Sequence, residues 1–249
     1  MIVKKLKILL CVASFVFPGL VWGQETAVNN CVYCHSEPTG KMEVDQNYYK
    51  WKDSWHAKNN VACDKCHGGK PAEATAAAAH AGVIEYEYKG KPYAYYQALD
   101  KQCGECHKQE FKVFIESSHA RYLQQGMGPS CISCHHPKTG HTLTPEEIIA
   151  SCYKCHTPGM KGSECIPIEV QSIFDLRKNA EVIIAWAKQF VDINYMNRKK
   201  TAAGRFLLRR ANQEIANIKD EWHRFNLATT REHLNAAIGY AIQSKGLMD

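Results

Sequence analysis

Ten cysteines and five histidines fall into one pattern repeated five times: CVYCH (Cys31, Cys34, His35), CDKCH (Cys63, Cys66, His67), CGECH (Cys103, Cys106, His107), CISCH (Cys131, Cys134, His135) and CYKCH (Cys152, Cys155, His156). Two thiols separated by two residues can add to the two vinyl groups of one porphyrin, and the adjoining histidine then reaches the iron as its proximal ligand. A redox dithiol or half of a zinc site also uses a CxxC pair, but neither requires a histidine after every second cysteine. A disulfide framework does not require one either. The pattern therefore implies five covalently bound haem c groups, held by the ten cysteines and ligated by the five histidines.

The chemistry then depends on the sixth ligand of each iron. Outside the motifs lie His56, His80, His119, His136, His141, His223 and His233, and every interval between consecutive motifs holds at least one of them. Imidazole is a usual axial partner. His56, His80, His119, His141 and His223 are the candidate distal ligands, with His136 a weaker candidate and His233 weaker still. If these histidines close all the irons, the chain conducts electrons. If one iron stays open, His119 is the candidate catalytic residue, as a proton or hydrogen-bond donor.

The elements that must position these residues are partly legible. YYKWKDSWHAKNNVACDKCH and FKVFIESSHARYLQQGMGPSCISCH share an aromatic and lysine segment, then Ser-x-His-Ala, then the next motif. This weak repeat predicts a short helix presenting a distal histidine, followed by a loop carrying the next haem. KPAEATAAAAHAGV reads as a plain helix that positions His80. Towards the C-terminus, Leu234, Ala237, Ile238, Ala241 and Ile242 lie on one helix face, with Thr229 and Glu232 as a capping box. Leu207, Ala211, Ile215, Ile218 and Trp222 form a second stripe, and Val182 to Ile193 suggests a third helix. His223 falls at the break between two of these helices.

Composition sets the frame. MIVKKLKILLCVASFVFPGLVWG has a basic start, a short apolar run and small or apolar residues before Gln24, as a cleaved export signal does. The expected organisation is a signal over residues 1–23, a pentahaem domain over 24–165 and a C-terminal helical segment over 166–249. Export points to the periplasm or another exported compartment of a bacterium and a mature protein that is soluble. Signal removal takes Lys4, Lys5 and Lys7 and reduces the formal charge from +6 to +3; haem propionates lower it further. The overall charge is thus weak support for a nucleic-acid or membrane-surface partner, and no nucleic acid is expected. NRKK at 197–200, with Arg205, Arg209 and Arg210, reads as a solvated helix face or a partner for propionates. The tyrosines of EYEYKGKPYAYYQ read as packing against porphyrin. At about 45 mature residues per haem, the porphyrins must supply much of the buried apolar surface, so no stable fold is expected without them.

Two stretches resemble known multihaem families. WKDSWHAK, preceded by CVYCH, looks like the start of the small cytochromes of the c-552/c-554 group that accept electrons from hydroxylamine oxidoreductase. SSHARYLQQGMGPSCISCHHPKTGH followed by SCYKCH is similar to the last two haem sites of pentahaem nitrite reductases and octahaem hydroxylamine oxidoreductases. The resemblance implies closely packed haem pairs in a mainly helical fold. Carried over from the nitrite reductases, it matches His119 to the histidine that lines the substrate pocket and His141 to a distal haem ligand. The chain also departs from those enzymes. All five motifs end in histidine, where the reductases usually mark the catalytic haem with lysine, and Phe111 stands where their catalytic tyrosine lies. Hydroxylamine oxidoreductase modifies its haem with a tyrosine from C-terminal helices; here Tyr195 and Tyr240 lie in that segment, with no local motif to single out either.

Residues and resemblance together predict a mainly α, haem-packed cytochrome with little strand and a C-terminal helical hairpin or bundle. Its expected function is electron relay through bis-histidine haems between redox partner proteins, a quinol-linked cytochrome or a haem oxidoreductase. The alternative is a small nitrite or hydroxylamine oxidoreductase with one open haem. The C-terminal helices also offer a surface for a homo-oligomer.

Overall fold

The computed structural model describes residues 29–37, 42–84, 92–136, 141–160 and 163–249. The expected export signal and the first tyrosines of the tyrosine-rich run lie outside these residues. The fold is mainly α. In chain order the helices are α1 (Asn30–Ser36), α2 (Met42–Lys52), α3 (Trp55–Lys58), α4 (Cys63–His67), α5 (Ala76–Ala79), α6 (Pro92–Cys106), α7 (Lys108–Ile115), α8 (Ser118–Gln124) and α9 (Pro145–Cys152). Three long helices follow: α10 (Ile166–Ile193), α11 (Arg198–His223) and α12 (Leu227–Gly246). Between α8 and α9 a 3-10 turn spans Cys131–Ser133, and the two-residue strands β1 (His135–His136) and β2 (His141–Thr142) pair antiparallel.

Helices α1, α3, α5, α8 and α9 of the haem-motif region start at side-chain caps. In both copies of Ser-x-His-Ala the serine is the N-cap: Ala57 N–H donates to Ser54 Oγ at 3.1 Å, and Ala120 N–H donates to Ser117 Oγ at 3.1 Å. Both serines are buried. The shared tetrapeptide is thus a helix-start device that places its histidine in the first turn. Ser117→Ala should cost about 1 kcal/mol of stability, read as a fall in the denaturation midpoint of the holoprotein. α9 begins with the reciprocal Thr144/Glu147 box and Pro145 in its first turn.

Two local expectations are corrected. The helix predicted over KPAEATAAAAHAGV is one turn, because its ends are bound elsewhere: Lys70 N–H donates to Ala79 O, and Ile84 N–H to His67 O at 2.7 Å. These bonds fold the segment back onto the loop after the second motif, and His80 caps the turn. The last helix does not start at Thr229. Asn226 caps it three residues earlier, accepting from Thr229 N–H, after Phe225 has ended the preceding turn at φ 60°.

The buried apolar residues are unevenly shared. Val170, Ile173, Ala180, Ala187, Val191, Leu208, Ala211, Ile218, Leu234, Ala237, Ala241 and Met248 all lie in the C-terminal segment, against Leu99, Val113, Phe114, Ala120 and Leu123 before it. Helices α10 to α12 therefore have a core of their own, in two clusters along their length. Leu208, not Leu207, carries the upper end of the α11 stripe. Gly204 allows the closest approach: a Cβ there would stand 2.8 Å from Val191 Cγ2, and Ser244 Oγ donates to its carbonyl at 2.9 Å. No helix among the described residues is long and apolar enough to cross a membrane.

Candidate haem-binding sites

Among the described residues, four motif histidines face a histidine from elsewhere in the chain. Ring centroids are 6.1 Å apart for His35 and His80, 6.3 Å for His107 and His56, 6.1 Å for His135 and His223, and 5.9 Å for His156 and His119. Metal–imidazole bonds of ~2 Å on both sides of one metal put the two ring centres about 6 Å apart. The spacing falls within the ~4.5–7 Å range of ring contacts and also fits an iron between the two imidazoles. His35, His80, Cys31 and Cys34 line one common slot, closed by Glu73, Thr75 and Ala79. That slot brings both thiols and both imidazoles of the first site together, as the donor set of a c-type haem requires.

Each distal candidate in these pairs is set by a simple local device. His56 and His119 are held in the first turns of α3 and α8, directly after their serine caps. His80 is fixed by the folded-back loop. His223 ends α11, where its Nδ1–H donates to the Lys219 carbonyl at 2.6 Å, which leaves Nε2 to face His135. Such a bond fixes the tautomer and raises the basicity of the ligating nitrogen. His119 is half-buried, and burial, reinforced by neighbouring His156, pushes its pKa down to about 4. A neutral imidazole with a free lone pair is the form that binds a metal. The Nδ1 atoms of His119 and His156 are buried with no hydrogen-bond partner.

The ring planes differ between pairs. His135 and His223 are parallel within 3°, whereas His56 and His107, and His119 and His156, are each crossed at 81°. His35 and His80 lie between these limits at 55°.

Neighbouring motifs stand next to each other in chain order. The Cys63 thiol is raised by burial and then by Cys31, and Cys66 is pushed up to about 11 by burial and then by Cys103 and Cys63. Cys103 and Cys131 are close enough to share a hydrogen bond, and Cys152 is raised by burial and then by Cys134. The five motifs therefore form one continuous file. Asp100, 2% exposed on α6, ties the third motif to the fourth by accepting the Cys131 N–H at 3.0 Å. Burial raises its pKa.

The C-terminal helices dock on this file through α7 and α8. Lys219 pairs with Glu110, Arg224 with Glu116 at 3.2 Å, and Gln109 donates to Asp220 at 2.7 Å. Phe225 packs on His119 with ring centres 3.9 Å apart and lies against Phe114. A bulky residue at positive φ is strained, and contact with two rings holds it there. Phe225 and Asp100 have no signal in the sequence; each acts through a partner more than 30 residues away.

The remaining candidates are placed differently. His67 ends α4. His136 and His141 face each other across the strand pair by backbone, and the His141 side chain lies outside the described residues. His233 bonds Glu214 at 2.6 Å between α12 and α11, so it serves the helix packing. Cys165 is exposed at the start of α10. Phe111 packs against Gly104 within α6 and α7.

Two families match parts of the chain. Residues 92–157 match the family described as cytochrome c7 and related cytochrome c. Residues 21–68 match cytochrome c554 and c-prime. These matches support a multihaem c-type cytochrome. Comparison with curated proteins and with solved structures gave no match. The two matched stretches contain all five motifs and support covalently bound haem c and electron transfer.

Proposed function

We propose that this cytochrome is an exported pentahaem electron relay whose irons are closed by histidine on both sides. The observation that supports it is the four histidine pairs at 5.9–6.3 Å, each joining a motif histidine to a spare one. In this reading Cys31, Cys34, Cys63, Cys66, Cys103, Cys106, Cys131, Cys134, Cys152 and Cys155 attach the haems. His35, His67, His107, His135 and His156 are proximal. His80, His56, His223 and His119 are distal to the first, third, fourth and fifth sites, and His141, with His136 behind it, is the candidate for His67. Bound haem supplies the ferric/ferrous couple. The chain holds ten thioether anchors in one file and fixes both imidazoles of a site, so that no ligand must leave on reduction.

Residues 24–165 form the haem domain in this reading and 166–249 a helical segment that supplies His223. The partners are redox proteins, a quinol-linked cytochrome or a haem oxidoreductase, as the resemblance to the c-554, hydroxylamine oxidoreductase and nitrite reductase group suggests. The oxidoreductase alternative needs His119 beside an open iron. Its ring partner at 5.9 Å favours the relay.

Pyridine haemochrome assay with intact mass is expected to give five haems per chain, and nitrite or hydroxylamine is expected to leave the oxidised absorption spectrum unchanged. Four haems, or a high-spin band that shifts on adding either compound, contradicts this function.

A further inference from the structure

The turn between α10 and α11 combines two features that the haem sites do not use. Ile193, Tyr195, Met196 and Phe206 are 69%, 65%, 82% and 51% exposed. Ile193, Tyr195 and Met196 follow one another closely at the turn itself, and Phe206 lies two helical turns into α11. Around them the sequence is strongly basic. Residues 188–210 hold seven lysines and arginines (Lys188, Arg198, Lys199, Lys200, Arg205, Arg209, Arg210) against one acid, Asp192. That excess of six equals the formal charge of the whole chain, so the remainder is balanced and the charge is local.

Little of this charge is neutralised internally. Asp192 is paired with Lys188, Asp249 with Lys245, and Arg210 packs on Tyr240. Arg198, Lys199, Lys200, Arg205 and Arg209 are exposed. Tyr195, Arg198, Thr201, Ala202 and Arg205 line an open depression beside the apolar tip. Two guanidinium groups and a phenol around one hollow suit a phosphate oxygen. Propionates of the haem file are not its partners: Arg198 and His223 stand at opposite ends of α11, whose 26 residues run roughly 40 Å at ~1.5 Å each.

We infer that this tip docks on an anionic phospholipid surface, with Ile193, Tyr195, Met196 and Phe206 entering the headgroup layer and the surrounding cations meeting lipid phosphates. Exposed apolar and aromatic side chains ringed by lysine and arginine match an interface that is apolar within and negative at its rim. The charge complementarity favours lipid over a second copy of the chain, because two such tips repel each other. Docked this way, α11 holds His223 and the haem file away from the bilayer, accessible to partners in solution. The inference stands on the tip alone and does not depend on how the haems are ligated.

The test is co-sedimentation of the holoprotein with vesicles of phosphatidylglycerol in phosphatidylcholine, beside vesicles of phosphatidylcholine alone. Binding is expected to the anionic vesicles only and to weaken as salt rises. Arg198→Gln, Lys199→Gln and Lys200→Gln together, all exposed changes that leave haem spectra as they are, should lower partitioning about a hundredfold. Met196→Ser with Phe206→Ser should lower it as well. Absence of binding to anionic vesicles, equal binding to both vesicle types, or anionic binding that survives the triple change each overturns the inference. So does a dimer in solution that Met196→Asp dissociates while vesicle binding is absent, which makes the tip an interface between copies.

Discussion

His223→Ala is expected to turn one haem in five from low spin to high spin and to let the reduced protein bind about one carbon monoxide per chain. The expectation follows from the tail geometry. His223 is the last residue of α11, lies parallel to His135 at 6.1 Å, and has its Nδ1–H committed to the Lys219 carbonyl. No other imidazole has that approach from the C-terminal segment, since His233 is held by Glu214. Loss of a ligand exposes the iron and changes its potential, because axial ligation is one of the main determinants of a haem potential. The same change removes one tie between the C-terminal helices and the haem file, leaving the Gln109, Glu110, Glu116 and Phe225 contacts to hold the two together. His233→Ala serves as the control: it should leave every haem spectrum unchanged while lowering thermal stability. A low-spin spectrum retained in full by His223→Ala removes His223 from the ligand set.

The second large effect is expected on loss of haem. Among the described residues the haem-motif region contributes five buried apolar residues, Leu99, Val113, Phe114, Ala120 and Leu123. Burying each is worth ~1.5–3 kcal/mol at most, whereas ordering the backbone costs ~1–2 kcal/mol per residue. More than a hundred residues before Ile166 cannot be held by that core, so the porphyrins must supply the apolar surface it lacks. Helices α10, α11 and α12 are different. Their 28, 26 and 20 residues share two apolar clusters without help from any haem motif. A chain produced without haem attachment should therefore lose the helicity of residues 29–160 and keep that of 166–249. Circular dichroism and limited proteolysis read this directly. A protease-resistant core ending near Asp249 and starting near Ile166 is the expected product; complete digestion contradicts an independent helical core.

This asymmetry argues against the expectation that nothing folds without haem, and the proteolysis decides between them. Composition averaged over the chain gave about 45 residues per haem, but the average conceals a C-terminal third that has none. The motif cysteines and histidines were legible as candidate haem anchors and ligands because the attachment they suit fixes their spacing within five residues. The serine caps of α3 and α8 were legible as a repeat, although only the structure explains why Ser and Ala flank the histidine. The pairing of His56 with His107, across the second motif and not within it, was not legible. It depends on where α3 meets the junction of α6 and α7, and no local pattern encodes that. The one-turn fate of the alanine run had the same origin: helix propensity favoured a longer helix, and the bonds from Lys70 and Ile84 overrode it. Phe225 was invisible for a further reason. A strained aromatic after a helix looks like any loop residue until the ring it supports is located 106 positions earlier, at His119.

The most direct test of the central claim is electron paramagnetic resonance of the oxidised holoprotein. Two parallel imidazoles donate into the same iron orbital and separate it from its partner, which gives an ordinary rhombic low-spin signal. Two crossed imidazoles donate into different orbitals, leave them nearly degenerate, and give a single broad feature at large g. With His135 and His223 parallel at 3°, and two pairs crossed at 81°, the account predicts both signal types. The rhombic signal of the His135 haem should be lost in His223→Ala, and no high-spin signal should appear in the unaltered protein. A high-spin signal from about one haem in five that shifts with nitrite or hydroxylamine would instead mean an open iron, and the relay would give way to a haem enzyme.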